Sequence, residues 1–141
     1  MKTQDSSPIT IETAIEAPIE KVWTFWTQPK HITKWNQASE DWHTTRAEND
    51  LRAGGAFVSR MEAKDGSAGF DFAGTYDKVE EHKSIAYTME DSRKVEIHFS
   101  EDAKATRVSE TFEPEEENPR EMQRDGWQAI LDNFKKYAEA N

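Results

Sequence analysis

The chain closes on one long amphipathic segment, NPREMQRDGWQAILDNFKKYAEA, and nearly everything between it and a short aromatic helix near the N-terminus carries strand patterning. The apolar stripe of a helix has to be buried against another element. The only large partner available to this one is a sheet. The order strand, aromatic helix, run of strands, long helix therefore closes around a single shared core.

The C-terminal stripe is Trp127, Ile130, Leu131, Phe134, Tyr137 and Ala138, recurring at helical period for three turns. Its start is marked by Asn118 as N-cap, Pro119 at the first helical position and Glu121 at the third, a pattern resembling a capping box. At the other end, Ile9, Ile11, Thr13 and Ile15 alternate with Thr10, Glu12, Ala14 and Glu16, as in a half-buried strand. Pro18 suits the first turn of a helix, and Ile19, Val22, Trp23 and Trp26 form its stripe. Gln28-Pro29 interrupts that helix, because the residue before a proline is pushed out of the helical region. A short second helix around Lys30 to Trp35 follows, with Ile32 and Trp35 inward.

Strands are expected at Trp42 to Glu48, Ala56 to Ala63, Phe70 to Val79, Ser84 to Met89, Lys94 to Ser100 and Thr106 to Phe112. Gly54-Gly55, Asp65-Gly66 and Glu101-Asp102-Ala103 are short enough for hairpins, which makes the run an antiparallel meander. One face of each strand is apolar and the other charged, so the sheet is covered on one side only. The inward sets are Phe57 and Met61; Phe70, Phe72 and Tyr76; Ile85, Tyr87 and Met89; Val95, Ile97 and Phe99; Val108 and Phe112. The fold class is α+β, with one domain over residues 8–141 behind a polar, flexible tail over residues 1–7.

Composition excludes several classes of function. Eighteen basic against 28 acidic side chains leave a net charge of -10, which opposes phosphate neutralisation, so nucleic acid is not an expected partner. With no cysteine there are no disulfides, thiolate nucleophiles or Cys-based zinc sites. The four histidines, His31, His43, His82 and His98, have no metal-ligand spacing. Gly54-Gly55 lacks the Lys-Ser/Thr and the helix that would make it a phosphate loop, and no cofactor is expected. No apolar window approaches the roughly 18 residues of a membrane span, and a cytoplasmic location is expected.

Gly126 sits inside the last helix, where it costs about 0.5–1 kcal/mol relative to Ala. It shares a face with Met122, Ile130 and Phe134, so its missing side chain leaves room toward the sheet; close packing of helix on strand is the other explanation. An open cavity is the expected site. Its walls are assigned to Phe57, Met61, Phe72, Tyr76, Tyr87 and Phe99 from the strands and to Met122, Gly126, Trp127 and Ile130 from the helix. Trp35 and Trp42, near loops, are candidate walls as well, whereas Trp23 and Trp26 are assigned to packing. His43 lies at the rim, and His98 and Asp71 fall on the outward parity.

Glu110 alternates with Thr106, Val108 and Phe112 on the inward face of the last strand. An inward carboxylate is costly unless paired or protonated. It is therefore the candidate for proton transfer or for orienting a ligand, with Tyr76 or His43 as polar helper, unless a bulge or an arginine partner removes it from the site.

The APIEKVW helix, the T-x-P-x-x-I-x-x-W segment, the L-R-x-G-G-x-F hairpin, the G-x-Y strand and the terminal G-W-x-x-x-L-x-x-F-x-x-Y helix together resemble the START-like superfamily with the helix-grip fold. Within it the chain is most similar to the bacterial branch related to the C-terminal domain of the activator of heat-shock-protein-90 ATPase. The resemblance implies a curved seven-stranded antiparallel sheet, two short helices closing one end and a C-terminal helix across the concave face. It also implies a small hydrophobic ligand in the cleft, lipid-, polyketide- or flavonoid-like. A few members are cyclases, dehydratases or hydrolases. The cochaperone role belongs to eukaryotic members with an additional N-terminal domain, for which 141 residues leave no room, so a chaperone partner ranks below a small ligand.

Overall fold

A computed structural model describes residues 7–141; of the flexible tail expected over residues 1–7, all but Ser7 lies outside the described residues. The elements are β1 (Ile9–Ile15), α1 (Ile19–Thr27), α2 (Pro29–Trp35), β2 (Trp42–Asn49), β3 (Ala56–Ala63), β4 (Gly69–Glu80), β5 (Ser84–Met89), β6 (Lys94–Asp102), β7 (Ala105–Phe112) and α3 (Arg120–Ala140). The strands form one antiparallel sheet in the order β1-β7-β6-β5-β4-β3-β2. From β2 to β7 every pairing joins neighbours in sequence. The exception, β1 on β7, sets Ile9 against Phe112 and Ile15 against Thr106, and so ties the N-terminal strand to the far end of the meander.

Prolines set the helix starts one residue away from the expected positions. Pro18 is itself the N-cap of α1, with extended backbone, and its carbonyl accepts from Val22 N at 3.1 Å. Gln28 ends α1 and caps α2, whose first residue is Pro29. At α3 the capping box does not form: Pro119 holds φ -57° and ψ 143° and occupies the cap position, which displaces Asn118 from it. Gln123 organises this end instead. Its Nε2 donates to the carbonyls of Glu115 at 3.0 Å and Asn118 at 2.9 Å, and its Oε1 accepts from Glu115 N at 2.8 Å.

Helix α3 lies along β1, the edge strand, whose outward backbone groups would otherwise be open for pairing. Side chains from one side of α3 satisfy them in turn. Arg120 donates to Ser7 O at 2.6 Å, Gln128 to Glu12 O at 3.4 Å and Lys135 to Ala14 O at 2.6 Å, while Glu139 accepts from Glu16 N at 2.8 Å. The core gathers here: Ile9, Ile11 and Ile15 from β1, Val108 and Phe112 from β7, and Leu131, Phe134 and Ala138 from α3 are all buried. The short helices close one end, with Trp23 edge-on to Phe99 at 5.3 Å and Trp26 and Trp35 each 4.8 Å from the Phe134 ring. Buried Thr106 donates to Ala17 O at 2.8 Å and fixes the chain where β1 gives way to α1.

The outer face of the sheet carries exposed ion pairs, Arg107 with Glu12 at 2.8 Å and Arg60 with Asp71 at 3.4 Å, and a hydrogen bond between His98 and Glu96 at 3.3 Å. His98 and Asp71 thus point outward, as their parity requires. Such ion pairs stabilise by about 0–1 kcal/mol each.

Candidate functional site

Anchored on β1 and on the two short helices, α3 spans the concave face of β3, β4 and β5 at a distance and is not packed down onto it. The result is a cavity of about 520 Å³. Ligand pockets span about 300–1,000 Å³.

Its floor is Phe57, Ser59 and Met61 of β3, Phe70, Phe72 and Tyr76 of β4, and Ile85, Tyr87 and Met89 of β5. Glycine makes that floor flat at one point: a Cβ on Gly74 would stand 2.9 Å from the Phe57 ring and 2.6 Å from Thr88 O. Phe57 can therefore lie across the β4 backbone and meet the Tyr87 ring edge-on at 4.8 Å. The roof is Gly126, Trp127 and Ile130 of α3. Trp127 is held by stacking on fully buried Phe112, with centroids 4.0 Å apart and planes 7° from parallel. Trp26, Ile32 and Trp35 close one end, and Trp42 and half-exposed Phe70, 5.9 Å apart, stand toward solvent.

One charged group is buried in this wall. The alternation of β7 turns Glu110 inward between cross-strand partners Ile11 and Ile97, and the residue is 7% exposed. Among the described residues it has no hydrogen-bond or ion-pair partner; neither a bulge nor an arginine takes it out of the site. Burial alone pushes its carboxyl up to about 8, so that it holds its proton at neutral pH. Tyr87 is raised well above its ordinary range, first by burial and then by Glu110. Burial likewise raises Tyr76, whose hydroxyl donates to Asn49 Oδ1, while Asn49 Nδ2 donates to Thr27 O at 2.6 Å. Tyr76 is thereby committed to the frame. Arg93 also lines the cavity, with Nε 2.7 Å from Asp91 and Nη1 3.4 Å from Glu113 O.

Glu110, Trp35, Trp42, Phe57, Met61, Phe72, Tyr76, Tyr87, Gly126, Trp127 and Ile130 come together around this one space. Three assigned residues do not. His43 falls on the other face of β2, opposite Glu62, because Trp42 and Thr44 take the inward positions. Phe99 does point inward, but at the end of the sheet where Trp23 and Trp26, 5.3 and 5.8 Å away, already fill the space. Met122 shares the helical face of Gly126 yet sits in the first turn of α3, 59% exposed. Trp26, assigned to packing, also borders the cavity. Phe70, Ile85 and Met89 carried the parity signal for the wall, whereas Asn36, Ser39 and Arg93 lie in connections where no periodicity points to them. Among the described residues no three His, Asp or Glu side chains come together as a metal site.

Gly126 is not required for close packing: a Cβ built there meets nothing within 4 Å. Gly126→Ala is therefore expected to raise stability by about 0.5–1 kcal/mol, the helix-propensity difference, with no compensating clash. A urea titration followed by tryptophan fluorescence measures this, and a loss of stability would show that the roof is closed at that point.

A curved antiparallel sheet gripping one long helix above an aromatic cavity with a single buried carboxyl defines a helix-grip domain of the START-like class. The chain belongs to the family of Activator of Hsp90 ATPase homolog 1-like proteins, whose family model matches residues 16–139. It is 54% identical to a protein from Cytophaga hutchinsonii, with a TM-score of 0.82 over 94% of this chain and 92% of that one. With an AHSA1-like protein from Aeromonas hydrophila it shares 49% identity and a TM-score of 0.90, again over 94% and 92% of the two chains. A Chromobacterium violaceum protein at 23% identity shares the fold, with a TM-score of 0.85 over 95% of this chain and 99% of that one. No protein of curated function matches the chain. Among the described residues no helix is long and apolar enough to cross a membrane.

Proposed function

We propose that the protein binds one small, mainly apolar molecule, aromatic or acyl, in the cavity between the sheet and α3. The observation that carries this is the cavity itself: about 520 Å³ walled largely by aromatic and aliphatic side chains. A folded domain fills such a volume with its own side chains unless something else is to enter, because a void forfeits dispersion contacts around its whole lining. Gly126, open above the space, keeps the roof clear.

Titration with a panel of flavonoid-like and fatty-acyl compounds tests the proposal. Trp127 and Trp42 border the cavity, so saturable fluorescence change at one ligand per chain is expected, together with a retained mass in native mass spectrometry of freshly purified protein. A flat response across the panel overturns it. A second variant checks the location. Gly126→Leu directs a side chain into the open space, and is expected to abolish uptake while leaving the thermal midpoint at or above that of the wild type.

Glu110 supports a second reading, catalysis, since a carboxyl protonated at neutral pH is suited to proton transfer. Neither expected helper serves it, with Tyr76 bound to Asn49 and His43 on the outer face. The two readings part at turnover: an enzyme consumes its ligand, and Glu110→Gln abolishes that consumption without emptying the cavity.

A further inference from the structure

We infer that the molecule taken up by this cavity is a lipophilic amine, an apolar and largely aromatic body bearing one ammonium group that pairs with Glu110. This assignment rests on the cleft-binding reading above and refines it to a ligand class.

Three observations converge on it. The first is an unmet polar group. Glu110 is the sole carboxyl in the cavity wall, is 7% exposed, and has no hydrogen-bond or ion-pair partner among the described residues. Buried polar groups are normally paired, so a ligand group that pairs with this carboxyl supplies an interaction that the wall itself does not. The second is the aromatic lining. Phe57, Phe72, Tyr87 and Trp127 surround the space, and ring faces attract cations and not anions. The third is charge. The chain carries -10 overall, and beside Arg93 a separate surface groove is lined by Asp91, Glu115, Glu116 and Glu117 together with Arg93 and Pro114. A surface of that net sign concentrates cations and repels anions. Arg93, the one basic residue in the wall among the described residues, is engaged by Asp91 at 2.7 Å and Glu113 O at 3.4 Å.

The proton balance is simple. The other titratable groups facing the cavity are Tyr76 on β4, Tyr87 on β5 and Arg93 between β5 and β6; both tyrosines are raised by burial and stay neutral, and the guanidinium stays charged. The neighbours on β1 and β6, Ile11 and Ile97, are apolar, as are Trp127 and Ile130 above. When an ammonium enters, Glu110 gives its proton to solvent and a carboxylate–ammonium pair remains.

Three compounds on one scaffold test this: diphenylpropylamine, diphenylpropanol and diphenylpropanoic acid, titrated by tryptophan fluorescence and calorimetry. At about pH 7 the amine is expected to bind about tenfold or more tighter than the alcohol, with the acid weakest. Amine binding should release nearly one proton, read from the dependence of the heat on buffer, and should tighten between about pH 6 and pH 8 before levelling. In Glu110→Gln the preference for the amine and the proton release should vanish, while the alcohol still binds and reports an intact cavity. An amine no tighter than the alcohol, or a preference that survives in Glu110→Gln, overturns the assignment and leaves cleft binding standing. If none of the three binds the folded protein, cleft binding falls first and this assignment with it.

Discussion

Glu110→Gln is expected to abolish a loss of stability that the wild-type protein undergoes between about pH 5 and pH 8. Below the ordinary value of 4.5 the carboxyl is protonated in both folded and unfolded chains, and burial costs it nothing as an ion. As the pH rises toward about 8 the unfolded chain releases this proton while the folded one keeps it. The folded state then binds more protons, so stability falls with rising pH and levels above the folded-state value. A shift from 4.5 to about 8, at about 1.4 kcal/mol per unit, amounts to roughly 5 kcal/mol, a large part of the stability of a domain this size. The glutamine variant should match the wild type near pH 4.5 and exceed it by several kcal/mol at pH 9. Urea denaturation of both proteins across that range is the measurement.

Other groups do not blur the comparison. Glu80, held below its ordinary value first by the Ser84 hydroxyl, and Glu139, held down first by the Glu16 amide, lose their stabilising effect as the pH falls through the carboxylate range. His31, lowered by burial and then by Lys30, stabilises the fold above its ordinary range and less below it. Both proteins share these terms, so they cancel in the difference. Parallel profiles would mean that water reaches Glu110 freely.

Phe134→Ala is expected to cost about 3–5 kcal/mol and to lower the thermal midpoint by roughly 10 °C or more. Phe134 is fully buried, and Trp26 and Trp35 each meet its ring at 4.8 Å, so its removal opens a hole that neither indole can leave its place to fill. Ile130→Ala, one turn earlier on α3, should cost only about 1–2 kcal/mol, because Ile130 already borders the void and only its transfer from water is lost. The ratio of the two measures where the packed core ends and the cavity begins. Equal losses would place solid packing beneath Ile130.

Much of this arrangement was legible in the chain. Alternation in β1 and β7 and the Trp127 to Ala138 stripe identified the elements and their buried faces, because side-chain direction follows from the backbone period alone. By the same parity Glu110 was placed inward. Cap positions were less legible: Asn118 has the right chemistry, but the extended backbone of Pro119 moves the cap one residue on, and Gln123 ties down the linker from within the helix.

Sequence alone determined the order of the elements, the inward residues of each and the closure of one sheet by one helix. Tertiary structure decided which inward residues face open space. Phe57 and Phe99 have the same parity on their strands, yet Trp23 and Trp26 are set against Phe99 while α3, fastened to β1, stays clear of Phe57. Period records the direction of a side chain. Whether that direction ends in a neighbour or in a void depends on the sizes of residues far apart in the chain and on where the helix is anchored, and neither leaves a local pattern to read.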